Sequence, residues 1–310
     1  MNSTSKLLTL AIPTYNREKP LDDQIAWAVK SVEGAWHQVE LIICDNASID
    51  NTQQVCEKWR NQLGDNIKIF RNEENVGLVR NCFLSLSRAS GKYVWLIGDD
   101  DSIDKGAVGR VLDVINKHPD LSLIHINHRC VSGKDGSVIE PKFYNLDSDI
   151  FSPKQGVREL STILESYNTG GLMFITANVL NRVQALSFLE SNPPEEKLLL
   201  PYPLLLNAGL ASTGPFYFVA TCLLDCVYYN SSWSNEYEFV AYEGVPQTLV
   251  KLKKVGISKN AIKFCLDFQY QYFPTVRDML YRIRKGYTTK SAIKIWARRW
   301  LLKNRLKKEI

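Results

Sequence analysis

Three consecutive aspartates, Asp99 to Asp101, are the residues of this chain whose type and spacing could do chemistry. Adjacent carboxylates repel one another, so holding three of them together is costly without a nearby cation. Hard oxygen ligands suit Mg²⁺ or Mn²⁺, and Mg²⁺ commonly takes one or two carboxylates together with phosphate oxygens. The cluster therefore predicts a site for a metal that carries a phosphorylated ligand. The alternative is a solvated acidic turn before a helix that starts near Asp104.

A short strand positions these aspartates. Residues 93–97 are apolar and β-favouring, and they lie between Gly91 and Gly98, which is typical of a strand buried in a parallel sheet. In open α/β sheets, ligands bind outside the carboxyl ends of the strands. The aspartates follow this end directly, which favours a binding role.

Strands and helices alternate through the first half. Strands are predicted at residues 7–12, 40–44, 67–70, 93–97 and 121–126, and helices at 21–36, 52–62, 77–90 and 105–117. This order predicts an α/β fold with a mostly parallel sheet. Thr14, Tyr15 and Asp45 would then face the same rim as the aspartates and form a nucleotide site. There is no glycine-rich phosphate loop, so metal and side chains would hold the phosphates.

The second half is less regular. Residues 134–137 predict a hairpin turn, residues 178–190 and 197–210 predict helices, and residues 216–220 and 223–229 predict strands. From about residue 236 the pattern is helical, with breaks near Gly256, Pro274 and Gly286. His125 and His128 fall on opposite faces of a predicted strand, which favours core or rim histidines over metal ligands.

The composition predicts one large α/β domain or one domain with an appendage. The chain has 310 residues, of which 45% are hydrophobic. Its seven cysteines include no CxxC pair and indicate reduced thiols of a cytosolic protein. No signal peptide is visible, and no apolar run approaches the roughly 20 residues of a membrane-spanning helix.

Positive charge is concentrated in the tail. Residues 282–310 carry eleven Lys or Arg and one Glu, whereas the remainder carries 27 basic and 32 acidic residues. Helical spacing over residues 290–308 predicts an amphipathic helix that lies on an anionic membrane surface. The alternative is that Trp296 and Trp300 pack back against the rest of the protein. The predicted apolar arc consists of Ile293, Ile295, Trp296, Trp300, Leu302 and Leu306.

Four segments in order resemble the family 2 glycosyltransferases, enzymes of the GT-A fold. They are residues 12–17 (IPTYNR), 45–52 (DNASIDNT), 75–81 (NVGLVRN) and 90–101 (SGKYVWLIGDDD). Each is short, but each lies at a predicted strand end or helix start, and together they cover roughly residues 7–130. The glycine before three aspartates is most similar to bacterial O-antigen and capsule transferases, including abequosyltransferase-like members.

The resemblance implies a domain organisation. Residues 1–230 would form the GT-A catalytic domain, with a nucleotide-sugar-binding half at 1–130 and an acceptor-binding half at 131–230. Residues 231–310 would be a helical extension that ends in the basic amphipathic helix.

The resemblance also implies roles for the donor-site residues. Thr14 and Tyr15 would lie against the base, with the ring of Tyr15 stacking on it, and Asp45 would accept a hydrogen bond from the base. Asp100 would ligate the metal that bridges the diphosphate, and Asp101 would assist the metal or the ribose contact. The remaining nucleotide-binding residues would be Pro13, Arg17, Arg80 near the base or a phosphate, and Asp99 at the ribose.

The sequence departs from the family at the catalytic base. These enzymes usually carry a Glu-Asp pair at the start of a helix in the second half, and here Glu195 and Glu196 stand near that place without the aspartate. Glu196 is the predicted base, with Glu195 in reserve and Asp101 as a further catalytic candidate. The alternative is that both glutamates are ordinary acids at a helix N-terminus. The family's usual inverting stereochemistry depends on this assignment.

The predicted function is a metal-dependent glycosyltransferase of bacterial surface-polysaccharide synthesis. It would use Mn²⁺ or Mg²⁺ and a nucleotide-sugar donor, a UDP-sugar first and a CDP- or dTDP-sugar as alternatives. The acceptor would be a saccharide, polyprenyl-linked, and the enzyme would be cytoplasmic and peripheral on the inner face of the plasma membrane, with no nucleic-acid partner.

Two other functions remain open from the sequence. A nucleotidyltransferase acting on sugar phosphates would need a basic triphosphate loop near the N-terminus, where only Arg17 and Lys19 are available. A nucleic-acid-binding protein could use the basic tail, with Trp296 and Trp300 interleaved. That function would leave the strand-end aspartates unexplained.

Overall fold

A sheet of eight strands forms the centre of the protein. The structure is a computed structural model, and it describes residues 6–167, 169–228, 236–271, 273–286 and 289–310. The first four strands in spatial order run parallel, which confirms the predicted α/β class. The strands in spatial order are β3 (Ile67–Arg71), β2 (Val39–Asp45), β1 (Leu8–Thr14), β4 (Tyr93–Leu96), β10 (Asn178–Asn181), β6 (Leu123–Ile126), β11 (Phe216–Val219) and β9 (Ile150–Ser152).

Helices cover both faces of this sheet. The alternation within β1 divides the core, because Leu10 and Ile12 face one layer and Ala11 faces the other. The first layer contains α1 (Glu18–Val32), α2 (Thr52–Leu63) and α4 (Ala107–Lys117). The second layer contains α3 (Leu78–Arg88), α5 (Val157–Ser166), α6 (Gly170–Met173), α7 (Arg182–Ser191) and α8 (Tyr202–Thr213).

A second, smaller sheet supports the segment that follows the aspartates. It contains β5 (Ser102–Ile103), β12 (Leu224–Tyr228), β7 (Arg129–Ser132) and β8 (Val138–Glu140). The turn between β7 and β8 confirms the predicted hairpin, and Gly136 adopts a φ of 72° there. Arg129 on β7 donates hydrogen bonds to Asp225 on β12 and to Asp104 directly after β5, so one guanidinium ties these three strands together.

Two predicted helices begin later than the sequence pattern indicates. Residues 178–181 form β10 instead of helix, because their apolar side chains fill the gap between β4 and β6 as an antiparallel strand. Asn181 then caps α7 by accepting from the backbone N–H of Gln184 at 3.3 Å. The second helix starts at Tyr202 instead of residue 197, because Pro201 and Pro203 lack the N–H groups that a helix interior needs and fit only its first turn.

The two histidines are core residues, as predicted. Nδ1 of His125 lies 2.8 Å from Oδ1 of Asn178, and burial lowers the pKa of His125 to about 3. The buried ring of His128 stacks on Phe143 with 4.6 Å between ring centroids. The seven cysteines are all free thiols, and five of them are buried.

The C-terminal part is helical in its described residues, and Gly256 and Gly286 end helices with φ of 87° and 70°. The predicted domain boundary at 230/231 lies outside the described residues. Nowhere in the described ranges does a helix have the length and apolar character needed to cross a bilayer. The helical elements are α9 (Tyr237–Phe239), a π-helix (Val240–Gly244), α10 (Val245–Lys251), a 3₁₀-helix (Leu252–Val255), α11 (Lys259–Gln269), α12 (Val276–Arg284) and α13 (Lys290–Glu309).

The last helix packs against the body. The indole N–H of Trp296 donates to the carbonyl of Pro274 at 3.0 Å, and its ring stacks on Phe273. Leu306 is only 3% exposed, whereas Trp300 is 39% exposed. The predicted apolar arc is therefore divided, because one side of it enters the core and the other side faces solvent.

A leucine pair on α13 tests how much this packing stabilises the fold. We expect Leu306→Ala to lower the free energy of unfolding by about 2–5 kcal/mol, because it leaves a cavity in the core. Leu301→Ala is the matched control, since Leu301 is 61% exposed, and it should change stability by less than about 0.5 kcal/mol. Urea denaturation of both variants measures the difference, and equal effects would contradict the packing of α13.

A buried carboxylate ties the start of the central strands together. Glu40 on β2 accepts hydrogen bonds from the Thr9 hydroxyl at 2.6 Å, the Ser90 N–H at 2.6 Å and the Lys68 ammonium at 2.8 Å. Burial acts to raise the pKa of Glu40, but these hydrogen bonds outweigh it and lower the pKa to about 2. The carboxylate form therefore stabilises the folded protein.

This stabilisation should depend on pH. Because the folded pKa lies below the unfolded one, the contribution is complete above the unfolded pKa and is lost as the pH falls towards the folded one. We expect Glu40→Gln to cost about 3 kcal/mol at neutral pH, with the difference from wild type narrowing by about 1 kcal/mol near pH 3.5. Denaturation of both proteins at both pH values measures the difference in the free energy of unfolding. A difference that is the same at the two pH values would refute the lowered pKa of Glu40.

Candidate active site

The site lies where the order of the parallel strands reverses, between β1 and β4. Going outward from β1, the chain continues through β2 and β3 on one side and through β4 on the other, which makes a crevice at the carboxyl ends. Pro13 helps to open it. The last hydrogen bond between β1 and β4 runs from the N–H of Ile97 to the carbonyl of Ala11 at 2.9 Å. Because Pro13 has no backbone N–H, it cannot donate a further hydrogen bond that would extend this pairing.

Asp99 is held by two residues from the end of β1. Its carboxylate accepts from the hydroxyl of Thr14 at 2.7 Å and from Nε of Arg17 at 3.2 Å. Burial raises the pKa of Asp99, and these two partners oppose that effect. The same guanidinium donates through Nη2 to Asp100, so Arg17 bridges two of the three aspartates.

Asp101 points into the protein. It accepts from the hydroxyl of Thr176 at 2.6 Å and from the N–H of Val227 at 3.4 Å. Burial, together with the charge of Asp100, raises the pKa of Asp101 to about 8. The Thr176 oxygen also accepts from the N–H of Gly98 at 2.9 Å, where a Cβ would lie 2.5 Å from the Asp101 carboxylate.

Thr176 is a site residue that the sequence does not indicate. It lies 75 positions after Asp101 and belongs to no motif, so only the fold brings it to the aspartate loop. The three neighbouring aspartates thus have different surroundings. Asp99 and Asp101 are buried, whereas Asp100 is partly exposed and has Arg17 as its ion-pair partner.

The end of β2 forms the second wall. Asp45 is fully buried, accepts hydrogen bonds from the N–H of Ser48 at 3.1 Å and from the Gln53 amide, and forms an ion pair with Arg71. The loops after β1 and β2 are joined as well, because the N–H of Asn16 donates to the Ser48 hydroxyl at 2.8 Å. The structure therefore commits the Asp45 carboxylate to three protein partners that fix this loop.

A cluster of asparagines supports the same wall. Asn72 donates to Asn46 at 2.8 Å and to Asn81 at 3.0 Å, and Asn46 donates to Asn75 at 2.7 Å. Asn81 also donates to the carbonyl of Cys44 at 2.7 Å, next to Asp45. Three of these residues belong to the motifs noted in the sequence, but their joint role appears only in the fold.

The remaining predicted residues lie at the rim. Tyr15 follows Thr14 and is 40% exposed. Arg80, at the start of α3, forms an ion pair with Glu196. The sequence predicted a different role for each of them, nucleotide binding for Arg80 and the catalytic base for Glu196. Glu195 pairs with Lys251 at 2.6 Å, and this partner lowers the pKa of Glu195. Within the described part of the chain, no hydrogen bond or ion pair joins either glutamate to the aspartates.

The donor set fits a hard cation that brings its own phosphate oxygens. Among the described residues there is no group of three His, Cys, Asp or Glu side chains already arranged to hold a metal. Asp100 is the most exposed carboxylate of the cluster, although only partly exposed, and Asp101 lies next to it in the chain. One or two carboxylates with phosphates are a usual Mg²⁺ environment, so the residues present suit a metal that arrives with a diphosphate.

Comparison with known proteins gives relatives by sequence. The abequosyltransferase RfbV of Salmonella typhimurium is 33% identical over 117 residues, which cover 38% of this chain and 35% of the relative. The GalNAc(5)-diNAcBac-PP-undecaprenol β-1,3-glucosyltransferase of Campylobacter jejuni is 29% identical over 133 residues, covering 42% of this chain and 40% of the relative. The matches span well under half the length of these relatives.

Solved structures give the fold. TarS 1–349 of S. aureus in complex with UDP has a TM-score of 0.62 at 17% identity and covers 94% of this chain and 78% of that chain. The mannosyltransferase PcManGT from Pyrobaculum calidifontis in complex with GDP-Man and Mn²⁺ has a TM-score of 0.54 at 13% identity, covering 99% and 86%. These similarities confirm the predicted GT-A fold.

The family model described as Glycosyl transferase family 2 matches residues 9–182, which include all three strand ends of the crevice. That span is more than half of the chain, and it contains the aspartates, Thr176 and the loops that hold them. The chain therefore belongs to glycosyl transferase family 2.

Proposed function

We propose that this protein transfers a sugar from a nucleotide-sugar donor to a saccharide acceptor in the synthesis of a bacterial surface polysaccharide. The observation that carries the proposal is the crevice between β1 and β4, where Thr14 and Arg17 hold Asp99 beside the partly exposed Asp100. The pathway class is supported by sequence relatives that are named as an abequosyltransferase, a minor teichoic acid biosynthesis protein and an undecaprenol-linked glucosyltransferase.

In this proposal Asp100 would hold a Mn²⁺ or Mg²⁺ ion, with Asp101 beside it in the chain. When bound, the ion neutralises the leaving nucleoside diphosphate as the glycosidic bond of the donor breaks. Arg17 then has a second task, because a guanidinium pairs with phosphate as well as with carboxylate. It can exchange Asp100 for a diphosphate oxygen while its Nε stays on Asp99.

The donor base would lie against Tyr15, whose loop is joined through Asn16 and Ser48 to the loop that Asp45 orders. A UDP-sugar is the first candidate, because the related TarS fold is known with UDP and with UDP-GlcNAc. CDP- and dTDP-sugars are the alternatives. The acceptor would be polyprenyl-linked, as the name of the Campylobacter relative indicates for that enzyme, and catalysis would occur on the inner face of the plasma membrane.

Arg80 links the donor side to the predicted base. A general base needs a free carboxylate within hydrogen-bond reach of the acceptor hydroxyl, and Glu196 is paired with Arg80. If Arg80 moves to a donor phosphate, Glu196 is released, so donor binding would activate the base. Glu195 is a weaker candidate because Lys251 holds it. Inversion at the anomeric carbon follows if Glu196 acts as proposed.

The two alternative functions lose support. The family match is to glycosyltransferases, which disfavours a nucleotidyltransferase. The basic tail is partly used inside the protein, because Arg298 and Arg299 pair with the buried Glu243 and Lys307 pairs with Asp267. This internal pairing disfavours a tail that serves as a nucleic-acid-binding surface.

The metal assignment predicts a specific loss in Asp100→Asn. We expect kcat/KM for sugar transfer to fall about a thousandfold, since the leaving group loses several kcal/mol of stabilisation. Mn²⁺-dependent nucleotide binding should vanish in titration calorimetry. Asp113→Asn, an exposed acid on α4, is the control and should behave as wild type. Near-wild-type turnover of Asp100→Asn in a panel of nucleotide sugars would contradict the assignment of Asp100 as a metal ligand.

The base contact predicts a different kinetic signature in Tyr15→Ala. Stacking on the base is similar in ground and transition states, so its loss should raise KM about tenfold and leave kcat nearly unchanged. Tyr15→Phe keeps the ring and should retain donor affinity. An unchanged dissociation constant of the nucleotide in Tyr15→Ala would refute the stacking role.

A further inference from the structure

The apolar side of α12 faces solvent. At 100° per residue, Val276, Met279, Leu280 and Ile283 lie on one arc about 100° wide. Met279 is buried, but Val276, Leu280 and Ile283 are 47%, 50% and 40% exposed. An amphipathic helix of a globular protein normally turns such a stripe towards the core. Here three of its four residues are left for a partner outside the chain.

Arginines flank this stripe on both sides. Arg277 and Arg284 lie along one edge and Arg282 lies beyond the other, and all three are exposed. The one acid of the helix, Asp278, is on the opposite side and is occupied in a capping box. Its carboxylate accepts from the N–H and the hydroxyl of Thr275 at 2.9 and 2.7 Å. The edges of the apolar stripe are therefore positively charged.

Helix α13 contacts the residues that precede α12. Trp296 donates to the carbonyl of Pro274, two residues before α12, and the partly exposed Trp300 stacks on Trp296 with 6.4 Å between ring centroids. We define the basic apolar surface as the exposed side chains of these two helices at this place. It comprises Val276, Leu280, Ile283, Trp300, Arg277, Arg282 and Arg284.

We propose that the basic apolar surface binds an anionic lipid bilayer, with the stripe of α12 inserted at the boundary between headgroups and acyl chains. Apolar residues on one arc with arginines at its edges suit the membrane interface, where the guanidinium groups meet anionic headgroups. A second copy of this chain fits less well, because it would bring the same arginines together. The contact is thus centred on α12, and the arc predicted for α13 contributes Trp300 to it, because Leu306 on the inner side of that arc is buried.

This inference deepens the proposed function and rests on it for its purpose, since a membrane-bound enzyme meets a polyprenyl-linked acceptor directly. The binding itself is independent of catalysis and can be measured without donor or acceptor. A protein that binds vesicles but transfers no sugar would leave the membrane contact standing and count against the proposed function. A protein that transfers sugar to a soluble acceptor but does not bind vesicles would support the proposed function and count against the membrane contact.

The test is co-sedimentation of the full chain with vesicles of phosphatidylglycerol and phosphatidylcholine. We expect binding to the anionic vesicles, weak binding to pure phosphatidylcholine, and release at about 0.5 M salt. Leu280→Glu/Ile283→Glu should weaken binding about tenfold or more. Arg282→Glu/Arg284→Glu keeps the apolar stripe. It should weaken binding to the anionic vesicles and leave the weak binding to pure phosphatidylcholine unchanged. Val138→Glu/Ile139→Glu, on the exposed strand β8, is the matched control and should bind as wild type.

Three outcomes would overturn the proposal. The wild-type chain could fail to sediment with anionic vesicles at low salt, or the Leu280→Glu/Ile283→Glu variant, with an unchanged melting temperature, could bind as well as wild type. In analytical ultracentrifugation without lipid, the wild-type chain could also be a dimer that this variant converts to a monomer. That last result would assign the surface to a second copy of the chain.

Discussion

Repulsion among Asp99, Asp100 and Asp101 is the constraint on which the rest of the site depends. The fold reduces this repulsion by giving each carboxylate different partners and a different degree of burial. Asp99 is paired with Arg17 from the end of β1, and Asp101 is buried against Thr176 and Val227, where its pKa is raised to about 8. Asp100 is left partly exposed, with a partner that can also bind phosphate. The separation of roles among three adjacent residues therefore depends on partners from three distant parts of the chain.

The crevice follows from the same arrangement. Proline at position 13 ends the ladder between β1 and β4 just where the strand order reverses, while the ladder towards β2 continues to Thr14. The wall of β2 is then stiffened from within, because the Asp45 carboxylate is held by Ser48, Gln53 and Arg71, and the asparagines next to it bond to one another. A rigid wall on one side and the charged aspartate loop on the other suit a ligand that has a flat base and a diphosphate. In the proposed function, the ion pair of Arg80 and Glu196 at the rim would connect this donor side to the acceptor side.

Local patterns in the sequence were sufficient for the strands and motifs of the first half, because a buried parallel strand and its polar end are both encoded within a few residues. They were insufficient where partners are remote. Thr176 carries no signal beyond a threonine, and the four residues of β10 are too few for a strand pattern to be separated from the helix that follows. The tail shows the same limit. Its helical period was evident, but which side is buried depends on Phe273 and Glu243, which no local pattern relates to α13.

Anomalous diffraction at the manganese edge, from crystals grown with UDP and Mn²⁺, tests the central claim most directly. The account predicts a manganese peak at the carboxylate of Asp100, a diphosphate beside Arg17, and a base against Tyr15 in the crevice between β1 and β4. Nucleotide bound elsewhere on the protein, or nucleotide in the crevice with no manganese at Asp100, would contradict it.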